Sequence, residues 1–155
     1  MHSLNLPPYK AKLSKKNGKM CIYDPFRRKD VALTPEEWVR QHFINFLVTE
    51  KSYPPELIAN EVCIDVNSTS KRCDTVIYDK YLKPLVIVEY KAPEVVITGD
   101  VFEQISRYNS ALRVPYLIVS NGLTHYCCYM DYKEMKCVFL ENIPEYGMLE
   151  ERVIV

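Results

Sequence analysis

Three short apolar runs follow one another after Pro54-Pro55: IANEVCIDV, RCDTVIYD and PLVIVEYK. Each is rich in β-branched residues and bounded by Pro, Asp, Asn or Ser, which marks strands rather than helices. The second and third flank KYLK, with Asp79 and Pro84 placed symmetrically about it. Closed as a hairpin on that midpoint, they set Tyr78 opposite Leu85, Val76 opposite Ile87 and Asp74 opposite Glu89 on one face. The other face pairs Ile77 with Val86 and Thr75 with Val88. Apolar residues thus lie on both faces, so both need cover, as in an α/β sandwich. PYLIVSNG, LTHYCCYMDY and KCVFL supply three further strands, the first ended by a turn at Asn121-Gly122.

Two stretches instead carry the helical period. Thr34 is a good N-cap, Pro35 fits the first helical position, and Glu37 at the third completes a capping box. Val39, Phe43, Phe46, Leu47 and Glu50 then share one face. Glu36 lies on it one turn ahead of Val39 and Arg40, whereas Glu37 points nearly the opposite way. A second helix is expected to start near Asp100, with Glu103 closing another capping box. Its buried stripe reads Val101, Ile105, Tyr108, Leu112, and Gln104 sits at the margin one turn before Tyr108. KMCIYDPFRRKDVAL reads as two short strands about a turn at Asp24-Pro25. Residues 1–19, with Pro7, Pro8 and several lysines, offer little to bury and are expected to form a flexible arm ahead of a single domain over 20–155. From Asn142 onward no pattern dominates.

Composition narrows the class. A chain of 155 residues, 48% hydrophobic and 26% charged, is one globular domain. No stretch approaches the roughly 18 apolar residues of a membrane span, and the polar, Pro-broken start is unlike a secretory signal. A cytoplasmic location is therefore expected. Six cysteines lack Cys-x-x-Cys spacing and three fall inside apolar strands, so reduced core thiols are expected rather than zinc ligands. His2, His42 and His125 have no partners at ligand spacing. The formal charge of zero excludes a globally basic nucleic-acid binder, though Lys10, Lys12, Lys15, Lys16 and Lys19, and Arg27, Arg28 and Lys29, form local patches.

The hairpin brings Asp74, Glu89 and Lys91 to one strand end: two hard oxygen donors facing each other, with an ammonium two residues past the second. Such a set suits Mg²⁺, with Mn²⁺ as substitute, because Mg²⁺ keeps several waters and binds through one or two carboxylates plus substrate phosphate. Asp, fourteen intervening residues and then Glu-x-Lys resembles the PD-(D/E)xK nuclease superfamily. LTPEEWVRQ, KRCDTVIYD, VIVEYKAP and FEQISRYN, in that order, are similar to the N-terminal domain of type I restriction enzyme restriction subunits, over about residues 20–140.

The resemblance implies a three-layer α/β/α restriction endonuclease-like fold with a mixed central sheet, and Mg²⁺-dependent hydrolysis of DNA. It implies metal binding by Asp74, Glu89 and the main-chain carbonyl of Tyr90, water orientation by Lys91, and a metal-bound water or second ion at Glu36. Gln104 would fix Lys91 or a phosphate, and Tyr108 would contact substrate. DNA and restriction-modification subunits are the implied partners, and a homodimer would be needed to cut both strands in one encounter. Cys73 stands where the family's motif has Pro. No Gly-x-x-x-x-Gly-Lys-Ser/Thr occurs, so the chain has no ATP-driven motor of its own.

Plainer readings stand beside this one. Glu89 and Lys91 also fit a surface ion pair at a strand end, worth ~0–1 kcal/mol. Glu36 equally fits a first-turn acid near the helix dipole. A non-cleaving DNA-binding or assembly module, or a purely structural interaction domain, would have the same pattern.

Overall fold

The computed structural model describes residues 2–153, with the side chains of the last two left aside. In chain order it contains β1 (Leu13–Lys16), β2 (Lys19–Asp24), β3 (Lys29–Ala32), α1 (Pro35–Glu50), β4 (Ile58–Val66), β5 (Thr69–Tyr78), β6 (Pro84–Tyr90), α2 (Gly99–Ser110), β7 (Tyr116–Ser120), β8 (His125–Asp131), β9 (Lys136–Leu140) and α3 (Tyr146–Val153). The first three strands form an antiparallel meander, and the other six form one sheet ordered β4-β5-β6-β7-β8-β9. The β6–β7 step is parallel and the others antiparallel, so the sheet is mixed. α2 lies in the crossover that a parallel step requires. No helix among the described residues is long and apolar enough to cross a membrane.

Side-chain alternation sorts the core into two parts. Ile77, Val86, Val88, Tyr116 and Ile118 pack with Val39, Phe43, Ile44 and Leu47 of α1. Val76, Ile87, Leu117, Val119 and Cys128 pack with Phe102 of α2 and with Leu112. α1, together with Leu149 of α3, therefore packs on one face of the sheet and α2 on the other, as apolar residues on both faces of a strand demand.

The hairpin pairs Thr75–Val88, Val76–Ile87 and Ile77–Val86 form as expected. Tyr78, however, pairs with Pro84 across a bulge, and not with Leu85. The cause is the turn: Asp79 Oδ1 accepts hydrogen bonds from Tyr81 N at 2.8 Å and Lys83 N at 2.9 Å. The Asp79 amide also donates to Lys83 O at 2.9 Å, which closes the loop one residue short of the symmetric register.

Residues 13–19 do not belong to a flexible arm, since β1 pairs with β2 from Leu13–Ile22 to Lys16–Lys19. Upstream, Leu4 and Leu6 pack against the α1-side core. Asn5 N donates to Gly122 O at 2.8 Å, and the space a side chain at Gly122 would need is occupied by Leu4. Two leucines spaced to reach one core outweigh the polar residues around them.

Val39, Phe43 and Leu47 of α1 are buried as expected, whereas the first turn of α1 and the whole of α2 differ in which side faces inward. Thr34 Oγ1 caps α1 by accepting from Glu37 N at 3.0 Å, but Glu37 does not complete the box. Its carboxylate is buried and engaged by Arg27 and Arg40, while Glu36 is exposed. The helical stripe orders the body of α1; at its first turn the β2–β3 connection decides burial by laying Arg27 across Glu37. In α2, Thr98 rather than Asp100 is the N-cap, accepting from Val101 N at 3.2 Å. The buried residues are Phe102, Ser106 and Asn109, so the stripe is turned by one position and Tyr108 is exposed. Leu112 is buried, and Cys73, Cys127 and Cys128 are buried thiols, whereas Cys63 is exposed.

Candidate functional site

The β5–β6 ladder ends at Thr75–Val88, leaving Asp74 and Glu89 just past its last rung. Asp74 Oδ2 takes the place of a ladder acceptor: Tyr90 N donates to it at 3.0 Å. Both acids are half-buried. Burial pushes the Glu89 carboxyl well above the usual carboxylate range, and the neighbouring Asp74 charge pushes the same way, against the opposing pull of Lys91. Beyond the strand, Lys91 N donates to Ser120 O at 2.9 Å, tying the chain to the end of β7.

A cleft of about 520 Å³ lies between the sheet end and α2. Glu89 and Lys91 line it from β6, Arg72 from β5, and Gln104, Ile105, Tyr108 and Asn109 from α2. The structure thus brings Asp74, Glu89, Tyr90, Lys91, Gln104 and Tyr108 into one neighbourhood. It does not turn Glu36 inward; the acid of that helix that points in is Glu37. The expectation that Glu36 reaches the site through the α1 stripe is therefore corrected.

Four residues that pattern reading passed over support this cleft. Arg40, buried in α1, donates through Nη1 to Asp74 O at 3.0 Å and to Glu61 Oε1 at 2.8 Å, and through Nη2 to Glu37 Oε1 at 2.7 Å. Glu61 lies across β4 from Asp74 with φ at 57°, a position the ladder skips, and Arg72 Nε donates to its Oε2 at 2.6 Å. Burial raises the Glu61 pKa, but Arg40 and Arg72 together outweigh it and hold the carboxyl below its ordinary value. Asn109 donates to Ile105 O at 3.0 Å, while its buried Oδ1 has no hydrogen-bond partner. The Glu37–Arg40 spacing was a legible helical ion pair; nothing in the pattern announced the backbone of Glu61.

On the opposite face a polar chain holds the strands under the site. Tyr90 Oη donates to Thr75 Oγ1 at 3.0 Å, Thr75 Oγ1 donates to Asn60 Oδ1 at 2.7 Å, and Asn60 Nδ2 donates to the buried Asp24 at 3.4 Å. Among the described residues no group of three or more His, Cys, Asp or Glu side chains is placed to hold a metal ion. An ion here would draw on two carboxylates and a main-chain carbonyl, a donor set that suits Mg²⁺ because Mg²⁺ retains waters.

A mixed sheet with a helix on each side and an acid pair at one strand end defines an α/β domain with a charged cleft. The chain belongs to the family described as type I restriction enzyme R protein N terminus, which matches residues 35–144. Its fold is similar to that of a fragment of the HsdR subunit of a type I restriction enzyme from Vibrio vulnificus YJ016, with a TM-score of 0.55 at 18% identity. The match covers 78% of this chain and 25% of that one, so the chain spans about a quarter of that relative. No curated protein matches the chain.

Proposed function

We propose that the domain is a Mg²⁺-dependent endonuclease of a restriction system, hydrolysing phosphodiester bonds in DNA on a three-layer restriction endonuclease-like fold of the PD-(D/E)xK type. The observation that carries this reading is the position of Asp74 and Glu89 just past the last rung of the β5–β6 ladder, with Glu89 and Lys91 lining one cleft. Two acids crowded in a half-buried position strongly disfavour full ionisation, and a divalent cation is the charge that would relieve them. Asp74, Glu89 and the Tyr90 carbonyl would hold Mg²⁺ or Mn²⁺, which when bound supplies Lewis-acid polarisation of the phosphodiester and acidifies a water.

The chain's own groups do the positioning. The Tyr90 amide fixes one Asp74 oxygen. Lys91 orients the attacking water or steadies the phosphate, and Gln104 holds Lys91 or a phosphate oxygen. Tyr108, with Lys71 Nζ 3.4 Å from its ring centroid, lies where a substrate strand would pass. One centre cuts one strand, so cutting both in one encounter calls for two copies. Family membership supports restriction-modification subunits as partners and a cytoplasmic location.

A second reading, a DNA-binding or assembly module that does not cut, is favoured by the zero formal charge. Plasmid nicking separates the two. Cleavage with Mg²⁺ or Mn²⁺ that falls at least about 100-fold in Asp74→Asn and Lys91→Ala supports the nuclease. Residual cleavage equal in all three proteins would exclude it.

A further inference from the structure

β8 and β9 gather three sulfur atoms on the α2 side of the sheet. Cys128 and Met130 share a face of β8, two residues apart, and Met130 pairs directly with Cys137 of β9. The Cys128 and Cys137 thiols each lie 3.5 Å from Met130 Sδ. Behind them, Ser106 Oγ of α2 lies 3.0 Å from Cys137 Sγ. Met130, Cys137 and Ser106 also line a cavity of about 320 Å³ that reaches the exposed Glu103 and Arg107, so two of the three sulfurs have a route to solvent, while Cys128 lies buried behind them.

We infer that Cys128, Met130 and Cys137 form a binding site for a monovalent soft metal ion, Cu(I) above all. Two thiolates and one thioether are soft donors that select Cu(I). Zinc prefers four nitrogen or sulfur donors, and no group of three His, Cys, Asp or Glu exists here among the described residues. A trigonal ion with metal–sulfur bonds of about 2.3 Å holds its sulfurs about 4 Å apart. The two observed separations, from each thiol to Met130 Sδ, would need to open from 3.5 Å by about half an ångström. A disulfide is the poorer use of the pair, because Cys128 pairs with Phe139 and so lies diagonal to Cys137. Diagonal pairs are about 7–8 Å apart at Cα, beyond the span a disulfide bridges without backbone movement.

Binding moves no electrons: the cation enters as the two thiol protons leave to solvent, and the thioether joins unchanged. The site lies behind the helix that carries Gln104 and Tyr108, yet the inference does not depend on the nuclease reading.

The test is anaerobic titration of the full chain with Cu(I) against a chromophoric Cu(I) chelator. A Cys21→Ser/Cys63→Ser background removes the more accessible thiols. One equivalent should bind, with X-ray absorption showing three sulfurs at about 2.3 Å. Met130→Leu, which conserves core volume, should weaken binding at least 10-fold, and Cys137→Ser should weaken it further. Affinity unchanged by Met130→Leu, or fewer than three sulfur neighbours, would overturn the site.

Discussion

Arg40 Nη1 donates at 3.0 Å to the main-chain oxygen of Asp74, joining the first helix to the strand that carries one of the paired acids. The same guanidinium holds the buried Glu37 and, at 2.8 Å, Glu61. Removing one partner of a buried ion pair leaves the other uncompensated, at a cost of about 3–5 kcal/mol, whereas replacing both with apolar residues is often close to neutral. Glu37 would keep Arg27 and Glu61 would keep Arg72, so Arg40→Met should lower the urea unfolding free energy by less than that full cost, by about 1–3 kcal/mol. Arg40→Met/Glu37→Met should recover part of it, since Glu61 keeps Arg72 and Arg27 keeps Asp24. If Arg40 also positions Asp74, the double variant folds but cuts more slowly than the parent. Equal losses in single and double variants would show that the pair is not the main contribution.

The exposed Glu36 yields the opposite expectation. Glu36→Ala removes only a first-turn charge, worth about 0.3–1 kcal/mol through the helix dipole. It should leave metal-dependent cleavage within about twofold, far from the losses expected at catalytic groups. A cleavage loss comparable to that of Asp74→Asn would return Glu36 to the site.

The legible parts were those fixed by side-chain period within one element or across one tight hairpin. Val76 opposite Ile87 and Thr75 opposite Val88 follow from apolar alternation, and that register is what delivers Asp74 and Glu89 to one end. What was hidden depends on how separate pieces meet. Arg27 crosses to Glu37 only after the β2–β3 turn has docked, which reverses the expected facing of Glu36 and Glu37. Leu4 and Leu6 look like part of a polar tail until the core they fill is known. In α2 the apolar Val101 and Ile105 mark one edge of the buried arc, and Ser106 and Asn109 join Phe102 in its middle, so hydrophobicity alone turned the stripe and buried Tyr108. The positive φ of Glu61 has no sequence marker at all.

Divalent metal should stabilise the folded chain if Asp74 and Glu89 bind it. A ligand that binds only the native state adds about 2.7 kcal/mol at a hundredfold excess over Kd. Thermal unfolding in rising Mn²⁺ should thus show a saturable increase in Tm. Glu89→Gln should abolish that response while raising Tm without metal, because it relieves two crowded carboxyls. An unchanged Mn²⁺ response in Glu89→Gln would place the ion elsewhere.

The two inner histidines make stability depend on pH in a separate window. His42 is buried, packs against the rings of Tyr9 and Trp38, and donates from Nδ1 to Trp38 O at 2.8 Å. His125 lies 2.7 Å from Ser120 Oγ and stacks on Phe46. Burial lowers both pKa values and outweighs the main-chain hydrogen bonds that pull the other way. A folded-state pKa below the unfolded value of about 6.5 means that the unfolded chain binds more protons just below that pH. The stabilisation is therefore complete above about pH 6.5 and is lost as pH falls through the folded values. In a Glu89→Gln background, which removes the carboxyl that otherwise titrates across the same window, urea midpoints should be level from pH 8 to 7 and decline toward pH 5, above the range where carboxylates such as Asp24 and Glu61 begin to protonate. His42→Phe, which keeps an aromatic ring against Trp38, should flatten part of that decline. A decline of the same slope in His42→Phe would assign the effect to His125 or to acids outside this pair.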